Sequence, residues 1–497
     1  MVTLDEATGL LQKKSDAETT QLARAPSIYK PLPTFVLKKD RSYQQQFADV
    51  YFLRLTHIKP AVEKIAAEAW DGTVIGGEPA KQVNRVLDVR QGELCWVAGT
   101  IYMEMRLKPN ILEDVSKDRW ISAPVSTEKY YSEDDQDQVM IEDDSGRIRL
   151  VGDVLKTVNL VTGCVIAVMG SENANGELEV IDIKFADISP QPERWDLTKP
   201  PSNGKQQVKD EDEEMKDAPT AEAGAERLPS CPSLDPSAQK EASNISRLII
   251  AGNSISLTEA PKLDPSATDK KPVTKKYGYD SSTYNPVPSQ LLDDFLSELL
   301  PSIPITLLPG AQDPANASYP QQPIHTAMFP KARPWSVNPD TNEAGWFDNT
   351  TNPWEGEIDG WRVLGTGGQN VDDVFKYIDS EDRLGMMEAM CRWRCSAPTA
   401  PDTLCEFPPS DMACRDTIAD AAAGSYPFQD DDPFVIKSAP HLYFVGCQPE
   451  FSTKVIQGPE GQQIRLITVP SFSETKELVL VDTETLEVSK VRISTAT

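Results

Sequence analysis

Apolar residues recur along the chain with two different periods. Within Tyr43–Thr56, the residues Phe47, Val50, Tyr51 and Phe52 fall at helical spacing, and Pro60 predicts the start of a second short helix running to Trp70. The period then shortens. Leu94–Met105 (LCWVAGTIYMEM), Val139–Ile141, Arg147–Val154 and Cys164–Met169 are short runs rich in strand-forming residues. Asn175-Gly176, between Ala167–Gly170 and Leu178–Ile183, predicts a hairpin because both residues tolerate positive φ. About five short strands in roughly a hundred residues fit a small barrel of the OB type. After Ser246, strand patterns recur at Arg247–Ala251, Ile303–Leu308, Trp361–Leu364, His441–Val445, Ile464–Val469 and Leu478–Val481. Helical patterns at Val371–Tyr377 and Glu381–Arg394 lie between them, and Leu291, Leu292, Phe295, Leu296, Leu299 and Leu300 form a stripe suited to packing on a sheet. The predicted fold class is α+β: an OB-type β-barrel with helices, joined to a C-terminal α/β domain with a mixed sheet.

Composition sets the boundaries. Residues 1–41 are polar and contain proline, which predicts a disordered arm; 42–190 hold the helices and the barrel; 191–244 read as an acidic disordered linker; 245–497 form the second domain. The longest uninterrupted apolar run, Cys164–Met169, is too short to cross a bilayer, so no membrane association is predicted. The first residues lack the basic-then-apolar order of a secretory signal, and Asn316-Ala317-Ser318 and Asn349-Thr350-Thr351 are read as chance glycosylation patterns. A net charge of −28, with a run of acids at 210–214, opposes strong direct binding to a phosphate backbone and suits cationic protein partners. A single-strand-binding barrel would need aromatic platforms lined by Lys and Arg; this one carries Glu142-Asp143-Asp144 between two strands, which favours a protein-docking barrel. Lys270-Lys271 and Lys275-Lys276 read as a solvated loop in preference to a nuclear-import patch.

Chemistry is conspicuous by what it lacks. An apolar run ends at Pro309-Gly310, the mark of a strand entering a turn, and is followed by Ala311, Gln312 and Asp313. In calcineurin-like phosphoesterases the corresponding turn reads G-N-H-D, with the Asn on a metal and the His at the leaving group. A methyl group cannot ligate a metal, and Gln cannot shuttle a proton at neutral pH. The chain has three histidines, His57, His325 and His441, too few and too dispersed for a dinuclear site. Cys391, Cys395, Cys405 and Cys414 lack the tight C-x2-C knuckle of a zinc site. No nucleophile elbow or P-loop is present, and Gly365-Thr-Gly367-Gly368-Gln-Asn370 reads as a tight strand-to-helix turn. No cofactor and no enzymatic activity are predicted.

The ordered motifs resemble a known family, the small (second, or B) subunit of eukaryotic DNA polymerase delta in its fungal form. They are Leu160-Val-Thr-Gly163, Phe185-Ala-Asp187, Ile250-Ala-Gly-Asn253, Pro309-Gly310, Asp313-Pro314, Tyr319-Pro-Gln-Gln-Pro323-Ile-His325 and Met328-Phe-Pro330. Thr351-Asn-Pro353, Asp359-Gly360, Leu364-Gly365-Thr366, Gly368-Gln-Asn370 and Ala397-Pro-Thr-Ala-Pro-Asp-Thr-Leu404 continue the series, over about residues 42–190 and 246–495. The resemblance implies an inactivated calcineurin-like phosphoesterase domain fused to an OB domain. Its vestigial positions are then Asn253, Ala311, Gln312, Asp313, Cys395, Cys447 and Pro449, where active members carry metal or proton-transfer groups. It further implies a nuclear, non-catalytic subunit for DNA replication and repair. The implied partners are the C-terminal cysteine-rich domain of the polymerase catalytic subunit and a winged-helix region of a third subunit, with the sliding clamp reached indirectly and, in fungi, polymerase zeta as a further partner. Any DNA contact is then weak or indirect. The alternatives are a single-stranded-DNA-binding OB protein and a residual phosphodiesterase or 3′–5′ nuclease. One departure stands out. The family places a first α/β strand soon after the barrel, and between Pro190 and Ile245 there is no strand pattern, which predicts skipped coding sequence, a translated intron, or a sheet that lacks its first strand.

Overall fold

The computed structural model describes residues 24–38, 48–108, 129–132, 137–199, 236–255, 286–316, 318–336, 345–404 and 426–493. The acidic run at 210–214, the lysines at 270–276, Cys231, Cys405, Cys414 and Tyr43–Phe47 lie outside them.

The strands in chain order are β1 (Tyr29–Leu32), β2 (Val74–Ile75), β3 (Glu78–Pro79), β4 (Lys81–Gln82), β5 (Leu94–Glu104), β6 (Gln138–Glu142), β7 (Arg147–Val151), β8 (Val165–Glu172) and β9 (Leu178–Phe185). The barrel is β5-β6-β7-β9-β8, closed by a second β5–β8 pairing, with β7 and β9 parallel and β4 added beside β5. Counted from β5, that is the 1-2-3-5-4 order of an OB barrel. Alternation explains the long apolar run in β5. Val97 and Ile101 point into the barrel with Ile141, Ile166 and Val168, while Leu94, Trp96 and Ala98 point outward onto a helix. The β8–β9 hairpin forms as predicted, but only Gly176 takes positive φ; the Asn173 side chain holds the turn by accepting from the N–H groups of Asn175 and Glu177.

That helix, α1 (Ala48–Trp70), corrects the predicted break at Pro60: it runs straight through. A proline removes one hydrogen bond and strains one turn, and here the loss is offset by burial of Ile58, Val62, Ala66 and Trp70 against the barrel. The disordered-arm prediction for 1–41 is also corrected for residues 24–38. β1 pairs antiparallel with β13 (Trp354–Ile358), and Arg24 donates to the carbonyls of Ser302, Ala242 and Ile245. The chain therefore completes a sheet of the second domain before it builds the barrel.

The second domain adds β10 (Leu248–Ala251), β11 (Ile305–Leu308), β12 (Phe347–Asn349), β13, β14 (Trp361–Thr366), β15 (Leu442–Gln448), β16 (Ser452–Gln457) and β17 (Gln463–Pro470). Two sheets result, β10-β11-β12 and β1-β13-β14-β15-β17-β16. They face each other through Ile249, Ala251 and Leu308 on one side and Trp354, Val363, Leu442, Phe444 and Ile467 on the other. The outer face of the small sheet carries α3 (Val287–Leu299), which follows the short α2 (Pro236–Ser243). The outer face of the large sheet carries α4 (Gln369–Tyr377) and α5 (Arg383–Arg392), whose core is continuous with the barrel interior. After α6 (Phe472–Thr475) the chain ends in a separate ribbon, β18 (Glu477–Val481) with β19 (Val488–Arg492), so the predicted strand at 478–481 does not join the mixed sheet.

The linker prediction for 191–244 is corrected at both ends. Residues 191–199 pack on the second domain, with Gln191 donating to Pro440 O and Gln463 O and Arg194 donating to Asp359 O, while α2 occupies 236–243. No strand lies in this stretch among the described residues, and β10 has a partner on one side only. The apolar stripe of α3 behaves as predicted only in part: Leu296 and Leu300 are buried, whereas Leu291 and Phe295 are exposed.

Candidate functional site

Four strands, β10, β11, β14 and β15, are parallel in pairs and end at one place. Backbones touch there. A Cβ on Gly252 would meet Gly367 and Gly310 at 3.1 and 3.2 Å, one on Gly310 would meet Asn253 N at 2.2 Å, and one on Gly446 would meet Ala251 O at 2.1 Å. Only glycine permits this approach. The carboxyl ends of strands are where such sheets hold ligands, and this crossing is where the retained motifs converge.

The loop after β11 is built around Asp313. Its carboxylate accepts from the N–H groups of Gly310 (2.8 Å), Ile255 (2.8 Å) and Ser254 (3.2 Å) and from the Ser254 hydroxyl (3.3 Å). Burial raises its pKa above the ordinary range, and those four donors pull it partly back. Asp313 thus ties two turns together. Asn253 sits at φ 48° and accepts from Gln312 N at 2.9 Å. Gln312 is exposed and Ala311 half-buried, while Cys447, at φ 54°, donates to Ala251 O at 3.5 Å. Pro449 follows the end of β15 and is exposed.

Behind this loop lies a set of buried amides that sequence reasoning missed. Asn352 Nδ2 donates to Gln321 Oε1 (3.0 Å) and Gln369 Oε1 (2.8 Å), and Gln369 Nε2 donates to Gln321 Oε1 (2.9 Å). Gln321 Nε2 reaches Gly310 O at 3.2 Å, and Asn352 Oδ1 accepts from Gly367 N at 2.9 Å. All three side chains are buried. The available signal was their position, each beside Pro or Gly within one of the ordered motifs: Pro320-Gln321, Asn352-Pro353 and Gly368-Gln369. The network is neutral and is completed by the backbone of Gly310 and Gly367. Its oxygens are occupied by amide donors and carry no charge to attract a divalent cation.

The histidines are spread as the sequence suggested. His57 lies on α1 with Asp431 at 3.6 Å, and His325 accepts from Ala327 N in a short 3-10 turn. His441 is buried between Arg362 N and Pro192 O, and burial lowers its pKa. Among the described residues no group of three or more His, Cys, Asp or Glu gathers in a metal-holding arrangement.

Cys395 lies apart from the other positions that the resemblance implies to be vestigial. It lies against Val435 at a second polar cluster, the seam between the domains, where burial pushes its thiol up to about 11. The centre of the seam is Arg54 of α1, wholly buried, donating to Asp432 Oδ2 (2.8 Å), Pro398 O (2.6 Å) and Ala400 O (2.9 Å). Burial works to lower its pKa, but Cys395, Asp432 and Tyr51 outweigh that, and the guanidinium stays charged. A Cβ on Gly163, at φ 90°, would fall 1.9 Å from Pro398 O. Arg392 pairs with Asp187 at 2.6 Å, and Arg394 donates to the carbonyls of Ala186, Asp187 and Ile188. The motifs at 160–163, 185–187 and 397–404 therefore all meet at the domain boundary.

The structure is thus an OB barrel clamped to a layered α/β domain whose strand ends hold buried amides. Residues 46–183 match the family model of the DNA polymerase delta subunit OB-fold domain, and residues 233–453 match that of the alpha/epsilon DNA polymerase B subunit. The chain is 33% identical to a DNA polymerase delta small subunit of Oryza sativa subsp. japonica, over 93% of this chain and 96% of the relative. It is 32% identical to the one from Saccharomyces cerevisiae, over 92% and 91%, and 31% identical to DNA polymerase delta subunit 2 of Drosophila melanogaster, over 95% and 98%. The chain belongs to the DNA polymerase delta small subunit family.

Proposed function

We propose that this chain is a non-catalytic docking subunit of DNA polymerase delta, acting in the nucleus, whose second domain is a retired metallophosphoesterase scaffold. The observation that carries the non-catalytic reading is the neutral amide network of Gln321, Asn352 and Gln369 at the strand ends. A dinuclear phosphoesterase needs charged or imidazole ligands and a water they can acidify. Here Asn253 and Asp313 hold backbone N–H groups of the neighbouring turns, and the space behind them is filled by neutral side chains. The four layers (helix, small sheet, large sheet, helices) support descent from such an enzyme.

The seam supports the docking reading. The buried ion pair at Arg54 and the half-exposed one at Asp187 hold barrel and sheets as one platform, suited to a partner that touches both. The partners are the C-terminal cysteine-rich domain of the catalytic subunit and a winged-helix region of a third subunit, with the sliding clamp engaged through them and polymerase zeta as a second assembly. Three cations of the barrel are engaged by acids: Arg147 with Glu142, Arg149 with Glu177 and Lys108 with Asp402. That weighs against the single-strand-binding reading. The test is co-purification of the full chain with the C-terminal segment of the catalytic subunit. A stable complex at micromolar concentration is expected, and its absence would sink the proposal.

A further inference from the structure

Helix α3 carries two apolar rows, one packed inward and one facing outward. Its inner face, with Leu292, Leu296, Leu299 and the following Leu300, packs on Ile305, Leu307, Phe329 and Phe347. Its outer face carries Val287, Leu291 and Phe295, which are 51%, 64% and 48% exposed. An apolar ridge of this size left facing solvent is the mark of a surface that another element covers. The three residues are spaced four apart, so they form one ridge about 12 Å long. Such a row is the surface that interdigitates with the equivalent row of a second helix.

Alongside runs a polar row at the same spacing, Gln290, Asp294 and Glu298. Lys331 pairs with Asp294, and its backbone N–H, with that of Ala332, is held by the buried Asp293. That contact also fixes the short turn Arg333–Trp335 close to the helix, where Trp335 packs at a tilt against Trp346 and remains partly exposed. The outer ridge is therefore apolar with an acidic border, on a chain of net charge −28. We propose that this face receives an amphipathic helix of a partner protein, its apolar ridge laid along Val287, Leu291 and Phe295 and its flank lined with Lys or Arg toward Asp294 and Glu298. The apolar contact supplies most of the affinity, and the acidic row selects a basic occupant over an acidic one. The proposal extends the docking-subunit reading and adds to it a site and a ligand chemistry.

The test uses the full chain and two fluorescein-labelled helical peptides of about 18 residues, long enough for several turns. Both carry leucines four apart; one has Lys and the other Glu on the flank. Fluorescence anisotropy should show the Lys peptide binding at least about tenfold more tightly than the Glu peptide. Phe295→Ser should weaken the Lys peptide by at least about tenfold, since it removes the largest exposed side chain of the ridge. Glu298→Lys should narrow the difference between the two peptides. Both substitutions fall at exposed positions, and far-UV circular dichroism verifies the fold. Equal binding of the two peptides, or binding unchanged by Phe295→Ser, overturns the proposal. So does sedimentation showing self-association that Phe295→Ser abolishes, which would make a second copy the occupant. The variants are also assayed for complex formation with the catalytic-subunit segment. Peptide binding lost while that complex persists supports the α3 site, and complex formation lost in the wild type with peptide binding intact overturns only the docking reading.

Discussion

The strand ends and the domain seam are both buried polar clusters built from family motifs, yet they use opposite electrostatics. At the strand ends three buried amides, all neutral, hydrogen-bond one another and the backbone of Gly310 and Gly367. At the seam a full charge, Arg54, is buried with Asp432 and two carbonyls. A neutral network carries little desolvation penalty, so it can be buried without strain on the fold. A buried ion pair costs several kcal/mol to dehydrate and is kept where its geometry fixes something. The difference teaches where this chain still depends on exact placement: at the joint between its domains.

The largest expected effect follows from removing one partner of the seam. Arg54→Met leaves Asp432 buried without its cation and two carbonyls without a donor, and should cost about 3–5 kcal/mol of stability. Urea unfolding of the full chain measures it. A cost below that of any amide substitution would break the comparison at its root. Gly163→Ala comes next. The added methyl is driven against Pro398 O at a positive φ, and a loss of about 2–3 kcal/mol is expected from overpacking and backbone strain. Because Gly163 belongs to the barrel and Pro398 to the second domain, the loss should appear as weakened coupling, with the barrel's backbone amides exchanging hydrogen ahead of the sheets.

Within the amide network, Gln369→Leu removes both a donor and an acceptor. Asn352 and Gln321 are then left short of partners, at about 1–3 kcal/mol. Complex formation with the catalytic-subunit segment should be unchanged, because the altered group is buried well inside the fold. If the complex weakened while the folded fraction stayed constant, the strand ends would be part of the docking machinery and the contrast with the seam would narrow.

Much of this arrangement was legible in the sequence because local patterns carried it. The alternation in β5 and the turn at Asn175-Gly176 gave the barrel, and Pro309-Gly310 marked the end of β11. What was not legible depended on contacts between distant segments. Nothing near Tyr29 announces that it pairs with Ile358, and no spacing rule links Arg54 to Asp432. Continuity of α1 through Pro60 reflects tertiary burial overriding local propensity. Cys395 falls among the vestigial ligands by its place in the motif order. Its side chain belongs instead to the seam, since the chain after α5 turns toward Val435 and Arg54.

The smallest effect separates relict geometry from present need. Cys447 holds a left-handed φ of 54°, and its thiol donates to Ala251 O over a long 3.5 Å. Such a conformation costs a non-glycine residue about 1 kcal/mol or more, and glycine adopts it freely at some cost in chain entropy. Cys447→Gly should therefore raise stability by about 0.5–1 kcal/mol. Asn253 is the internal control. It has a similar φ of 48°, but Asn tolerates that region and its Oδ1 binds Gln312 N, so Asn253→Gly should be neutral or destabilising. Differential scanning calorimetry of the two variants resolves the pair. Opposite signs mean that the strand ends keep an ancestral backbone of which only the Asn253 side chain is still used. A loss of stability from Cys447→Gly would mean that this thiol has acquired a packing role of its own, and the strand ends would then resemble the seam more closely than their neutral hydrogen bonds suggest.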